Sequence, residues 1–268
     1  MITEGAIPAA EGFEGRLFVP DGDGRRGAVV ILHERYGLVQ HTLDLAAKLA
    51  GDGHVAIAPD LFGDWAGDKD ALRRGDMRVV LPDTKVSEVI DRCVAYLARH
   101  PRVAPDRIAL MGVCQSGRYP LVAASGRTDV AACVVFYGAA NDRDWGTAAE
   151  QPRPMAQIVG GVRAPSLLVF GEGDHTISID HVRRLRGALE DARCSYRMRV
   201  FADVPHGWLN DTMPGRYRPD EAREAWAYLL AFLDDVFERR WPGTGRVRWE
   251  FSSDSGTDYD FKKNRRYE

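Results

Sequence analysis

The chain has little of what marks several large protein classes. Its 268 residues include only four cysteines, Cys93, Cys114, Cys133 and Cys194. They are widely spaced, form no CxxC pair and show no zinc spacing, so neither a disulfide scaffold nor a zinc module is expected. Neither charge dominates: 36 Lys+Arg against 39 Asp+Glu leaves a net charge of −3. A nucleic-acid binder usually carries a strong basic excess, so that partner is not expected. No apolar run approaches the roughly 18 residues needed to span a bilayer, and no membrane partner is expected. The stretch from Met1 to Gly15 has no basic n-region and no apolar h-region, so no secretion signal is read there. Free thiols in a reducing cytoplasm are the expectation.

What is present is ordinary globular composition, 45% apolar and 28% charged. From residue 27 the chain alternates short β-rich runs with helical patterns. Gly27 to His33 is a continuous apolar run, as in a strand buried on both faces. A helix is expected over 41–52 and a strand over 54–58. Val86, Val89, Ile90, Cys93, Val94 and Leu97 form one helical stripe within 83–99, with Asp83 as a candidate N-cap. Strands are expected over 107–112, 130–136, 166–170 and 196–202. Helices are expected from about 117, near 180–190 and near 221–238. Strands separated by helices mean βαβ units: an α/β fold with a mainly parallel, doubly wound sheet and helices on both faces. Ligands in such sheets bind beyond the carboxyl ends of the strands. Residues 61–82, 139–164 and 210–220 are irregular and are expected to cover the site.

The residues that follow the strands carry chemistry. The run Leu110-Met111-Gly112-Val113-Cys114-Gln115-Ser116-Gly117 resembles a nucleophile elbow, a sharp strand-to-helix turn that lifts one side chain above the sheet. Small residues flank the nucleophile because the turn brings backbone segments too close for bulk. Gly112 fits that pattern, whereas Ser116 stands where a second glycine is usual. Taking Ser116 as nucleophile instead would put Cys114 and Arg118 at the glycine positions, which disfavours it. Cys93 on a core stripe and Cys133 inside an apolar strand read as packing residues. Cys194 shows no partner. A thiol needs a base, since an ordinary cysteine is only a few per cent thiolate near neutral pH. Asp174 follows the strand at 166–170, and His206 follows the strand at 196–202. The order nucleophile, acid, base is that of the α/β-hydrolases. His206 would take the thiol proton, and Asp174 would orient the imidazole. His175 and Glu172 have no assigned role. His33 and Glu34 do not begin an HExxH zinc site, because position 37 is glycine, and no metal is expected. An unpaired Glu34 buried in the fold would be costly, which favours a role beside a catalytic thiol.

Together these segments resemble the dienelactone hydrolase family of α/β-hydrolases, over about residues 12–238. Val29 to Leu38 is similar to the family's strand ending in His-Glu-x-aromatic-Gly. His54 to Phe62 is similar to its next strand and turn. Gly112-Val113-Cys114 matches its elbow, where cysteine replaces serine, and Asp174-His175 and His206-Gly207 match its acid and base segments. The resemblance implies a Cys114–His206–Asp174 triad, and a Glu34 that contacts the resting thiol and helps control its ionisation. It also implies an oxyanion hole from the backbone N–H groups of Arg35 and Gln115. No cofactor is implied. Ser116 departs from the family glycine, and Gln115 to Pro120 is not the usual helix start. Family members that act on dienelactone hold its carboxylate with arginines outside these motifs. Arg35, Arg73, Arg74, Arg78 and Arg118 flank the expected site and are candidates for that task, which makes an anionic substrate the expectation. Tyr36, Tyr137 and Trp208 are candidates to line the pocket.

The resulting expectation is a hydrolase of a small ester or lactone, built as one domain over 1–240 with a charged extension over 241–268. Two other readings fit the same residues: acyl transfer or cyclisation by the same triad, and a non-catalytic scaffold that binds a ligand or partner. In the extension Val247, Trp249 and Phe251 share one face, the pattern of a half-buried strand. Ser252 to Glu268 is polar and charged. The strand is expected to pack on the domain or on a second subunit, with the protein a monomer or homodimer.

Overall fold

The computed structural model describes residues 1–243 and 246–255. The elements run in order β1 (Ile2–Ala6), β2 (Gly15–Pro20), β3 (Arg26–Leu32), α1 (Gln40–Gly51), β4 (Val55–Pro59), α2 (Lys69–Arg74), α3 (Asp83–Arg99), β5 (Val103–Val113), α4 (Tyr119–Ala124), β6 (Ala132–Phe136), α5 (Asp142–Trp145), α6 (Met155–Gly161), β7 (Ser166–Gly171), α7 (Ile179–Asp191), β8 (Tyr196–Phe201), α8 (Pro219–Phe237) and β9 (Trp249–Ser253).

Among the described residues nine strands join one sheet in the order β1-β2-β4-β3-β5-β6-β7-β8-β9. In it β1 with β2 and β2 with β4 pair antiparallel, and the other neighbours in this order pair in parallel. The central strands are apolar along their whole length because both faces are covered. Alternation along β3 shows this: Val30 and Leu32 point into one core cluster, Val29 and Ile31 into the other. The first cluster takes its helical cover from α3, α4, α6 and α7, the second from α1 and α8. Each helix presents one apolar stripe, such as Val86, Ile90, Cys93, Val94 and Leu97 on α3. After β4 the sheet stops growing on one side and grows on the other, starting with β5 beside β3. That reversal opens a crevice between the carboxyl ends of β3 and β5, where open α/β sheets place their ligands.

The structure adds to the sequence expectations at the edges. The hairpin β1–β2 lies ahead of the first expected strand. The segments expected to be irregular carry short helices: α2 within 61–82, and α5 and α6 within 139–164. The elbow helix starts at Tyr119, because 114–118 forms a tight 3-10 turn first. The strand expected in the extension is β9, which adds to β8 in parallel register within the same chain. Its apolar face is more open than expected: Trp249 is 47% and Phe251 44% exposed. Polar contacts hold it instead. Arg197 Nε donates to Glu250 at 2.5 Å, and Arg199 donates to both oxygens of Asp254 at 2.8 and 2.5 Å. The guanidinium of Arg186 lies over the Phe251 ring. Residues 256–268 of the charged run lie outside the described residues. No helix among the described residues is long and apolar enough to cross a membrane.

Candidate active site

The site is built on a turn that leaves no room for side chains. Cys114 follows β5 directly and sits at φ +56°, in the left-handed region that non-glycine residues rarely occupy. The neighbouring backbone is crowded on three sides. A Cβ on Gly112 would lie 2.3 Å from the Ser116 carbonyl oxygen. One on Gly117 would lie 2.7 Å from the Gly138 Cα, and one on Gly138 would lie 2.6 Å from the Cys114 carbonyl oxygen. Gly117 and Gly138 therefore supply the close approach that the family pattern assigns to one glycine at the elbow. Ser116 is accommodated because its hydroxyl has work to do. It donates to the Leu32 carbonyl at 2.8 Å and accepts from the Val113 N–H at 3.0 Å, which ties the elbow to the end of β3.

Cys114, His206 and Asp174 meet above the sheet. Cys114 Sγ lies 3.1 Å from His206 Nε2, and His206 Nδ1 lies 2.7 Å from Asp174 Oδ2. The other oxygen of Asp174 accepts from the N–H groups of Thr176 and Ile177 at 2.6 and 2.9 Å. The carboxylate is thus fixed by its own loop and presents one oxygen to the imidazole. Burial opposes a charge on His206. The nearby charges of Asp174 and Cys114, with hydrogen bonds to both, outweigh it and raise the His206 pKa well above 6.5. The Tyr137 ring meets the imidazole edge to face at 5.1 Å.

The turn after β3 forms the facing wall. Burial lowers the pKa of His33 and keeps it neutral. In that form Nδ1 donates to the Glu34 carbonyl at 2.7 Å and Nε2 accepts from the Leu61 N–H at 3.0 Å. The imidazole fixes the peptide that leads into Arg35. Glu34 is 4% exposed. Its Oε2 accepts from Asn210 Nδ2 at 2.6 Å, and Tyr137 Oη lies 3.5 Å from its Oε1.

These walls enclose a cavity of about 760 Å³. Glu34, Arg35, Tyr36, Arg78, Cys114, Gln115, Tyr137 and His206 all line it, as do Arg73 and Arg74. Gln115 ties the elbow to residues 78–79: its Oε1 accepts from Arg78 Nε at 2.8 Å and its Nε2 donates to the Val79 carbonyl at 2.6 Å. Arg73 and Arg74 are paired with Asp70 and Asp76. Burial lowers the Arg78 pKa, and Arg143 lowers it further, the mark of a site crowded with positive charge.

Two expected site residues lie elsewhere. Trp208 is fully buried and packs on Phe136, Tyr137 and Phe201, so it supports the wall from behind and lines nothing. Arg118 is 2% exposed and is held between Asp83 and Asp144 at 2.8 and 2.7 Å. Its donors are spent on joining the elbow to α3 and α5. His175, Asn210, Thr212, Met213 and Arg216 line the cavity without having been singled out. The only signal for the last four was their place in the stretch at 210–220. Among the described residues no group of His, Cys, Asp or Glu is placed to hold a metal.

The family model for the dienelactone hydrolase family matches residues 13–237. A protein of Salmonella typhimurium named as a carboxymethylenebutenolidase is 28% identical over 217 residues, 79% of this chain and 78% of its own length. A Bradyrhizobium protein named as a 2-oxo-3-(5-oxofuran-2-ylidene)propanoate lactonase is 28% identical, over 78% of this chain and 84% of its own. The crystal structure of a dienelactone hydrolase-titled protein from Klebsiella pneumoniae is 25% identical. It superposes with a TM-score of 0.75 and covers 87% of this chain and 99% of its own.

Two outcomes test this geometry. Replacing Arg118 by methionine strands the two buried carboxylates and should lower stability by about 3–5 kcal/mol, read by denaturant unfolding. A loss below 1 kcal/mol would show the cluster to be incidental. The His206 proton also links stability to pH. Because the folded pKa is raised, its contribution is full below pH 6.5 and is lost as the pH rises through the folded value. Asp174→Asn removes the main raising charge. Its unfolding free energy should therefore fall less steeply above pH 6.5 than that of the unaltered protein.

Proposed function

The chain belongs to the dienelactone hydrolase family, and we propose that Cys114, His206 and Asp174 carry its chemistry. The protein is an α/β-hydrolase that hydrolyses an ester or lactone. One observation carries the assignment of residues: the unbroken line from Cys114 Sγ through His206 to Asp174, at 3.1 and 2.7 Å.

In this reading Cys114 passes its proton to His206 Nε2, and Sγ attacks the substrate carbonyl. The backbone N–H groups of Arg35 and Gln115 stabilise the oxyanion, whose charge develops only in the transition state. His206 returns the proton to the leaving alkoxide, and in a lactone this opens the ring. His206 then takes a proton from water, the hydroxyl adds to the thioester, and the thiolate departs with the acid product released. Asp174 keeps the imidazole in the correct tautomer and stabilises its charged form. Glu34 faces the same cavity and acts on the resting thiol.

The substrate is read as anionic. Arg35, Arg78 and Arg216 line the cavity, and Gln115, the residue after Cys114, holds Arg78. The Bradyrhizobium relative is named for a lactone that bears a carboxylate, which agrees with a cationic wall. Tyr36 and Tyr137 shape the remainder. We read 1–240 as the hydrolase unit and 241–268 as an extension, whose β9 covers the β8 edge within the chain, in a monomer or a homodimer. The four cysteines are free thiols, which suits a reducing cytoplasm.

Cys114→Ala should abolish hydrolysis of an activated ester while the circular dichroism spectrum is unchanged; retained turnover would sink the mechanism. Arg78→Ala should raise KM for a carboxylate-bearing ester by roughly 10-fold, the loss of one charge-assisted contact. KM for the neutral analogue should stay within about 2-fold. Equal effects on both would remove the anionic reading.

A further inference from the structure

Glu34 is the acidic side chain of a cavity otherwise rich in arginine, yet its bonded partners are neutral: the Asn210 amide and, at 3.5 Å, the Tyr137 hydroxyl. Asn210 Nδ2 donates to Glu34 Oε2 at 2.6 Å, and Asn210 is 1% exposed. The orientation of that amide is fixed. Its Oδ1 accepts from both the N–H and the hydroxyl of Thr212, at 3.0 and 2.6 Å, which leaves Nδ2 to face Glu34. The backbone carries Asn210 to this place by a turn after the base. Gly207 stands at φ +81°, and the Asn210 N–H donates to its carbonyl at 3.1 Å. The amide therefore joins two segments that do separate jobs. One holds His206; the other holds Glu34 and Arg35.

We propose that Asn210 is a positioning residue of this site. Its amide fixes the Glu34 carboxylate in the cavity beside Cys114, and couples the loop of the base to the turn of the oxyanion amide. The inference rests on the reading of Glu34 as the group that acts on the thiol. A purely local role is the competing account: Asn210 could serve only as the acceptor that shapes its own turn with Thr212. The two roles use different atoms. Turn-making needs Oδ1, while positioning needs the Nδ2 donor.

Asn210→Asp separates them, because the acceptor for Thr212 stays and the donor is replaced by an oxygen facing Glu34. The readout is the rate of iodoacetamide alkylation of Cys114 at neutral pH, followed by mass mapping. It requires no substrate. Asn210→Asp should change that rate about 10-fold, as expected when a charged group loses its bonded donor. In a Glu34→Gln background the same substitution should change it by less than about 2-fold. With an activated ester the loss should appear in kcat per alkylatable Cys114, with KM held within about 2-fold. Asn210→Ser, which keeps a turn acceptor but shortens the side chain so that its hydroxyl no longer reaches Glu34, gives the second measurement should the aspartate variant fold poorly. An unchanged alkylation rate in Asn210→Asp and Asn210→Ser overturns the proposal, as does an effect of equal size with and without Glu34. If Glu34→Gln itself leaves alkylation unchanged, the reading of Glu34 fails and this inference falls with it. The triad reading stands or falls separately, on Cys114→Ala.

Discussion

Everything in the site hangs from one crossing of backbone segments. Gly112, next to last in β5, lies under the Ser116 carbonyl, and Gly117 meets Gly138 after β6 at a distance that no Cβ could enter. This contact forces the chain to turn sharply at Cys114 and holds that residue in a conformation it would not choose alone. Covered strands on both sides make the turn rigid. Cys114 is presented by the buried centre of the sheet, while His206 and Asp174, which stand in line with it, come from loops. That division of labour gives a precise reaction centre within a variable rim.

Charge is handled differently at the rim and beneath it. Under the cavity floor Arg118 satisfies Asp83 and Asp144, and all three are nearly dry. Such a cluster contributes little net stability against an apolar substitute, but breaking it is expensive, so it acts as a peg between the elbow, α3 and α5. At the reaction centre the balance is left open. Asp174 and the sulfur raise the proton affinity of His206, so in the proposed mechanism the proton for the leaving group is held next to where it is used. Arg78, anchored by Gln115, remains beside the nucleophile and gives the rim its cationic character.

The sheet, and the meeting of Cys114, His206 and Asp174, were largely legible in the sequence because both rest on strong local signals. Buried parallel strands read as continuous apolar runs, as at Gly27 to His33, and catalytic groups follow strand ends at spacings that the fold imposes. The β1–β2 hairpin was not legible: β1 is mostly exposed, β2 mixes half-buried and buried positions, and neither alternates cleanly. Trp208 misled because an aromatic beside a catalytic histidine can face inward or outward, and only packing on Phe136 and Phe201 decides which. Arg118 misled for a related reason. Its partners lie 35 and 26 residues away, and no local pattern reveals that two carboxylates will enclose it. Asn210 was silent because a turn asparagine is common, and its contact with Glu34 spans 176 residues.

The β9 strand has a consequence for the physical state of the protein. It covers a row of main-chain donors and acceptors on β8, a strand whose Tyr196, Met198 and Val200 are buried. Its own attachment relies on ionic contacts at Glu250 and Asp254, which concentrated salt weakens. Once peeled or clipped away, β9 would leave behind an open parallel edge with Tyr196, Met198 and Val200 uncovered between Arg197 and Arg199, and unpaired edges of this kind recruit strands from other molecules. The segment that closes the sheet thus also acts as a guard against self-association, and its grip sets how the protein tolerates salt, proteases and high concentration.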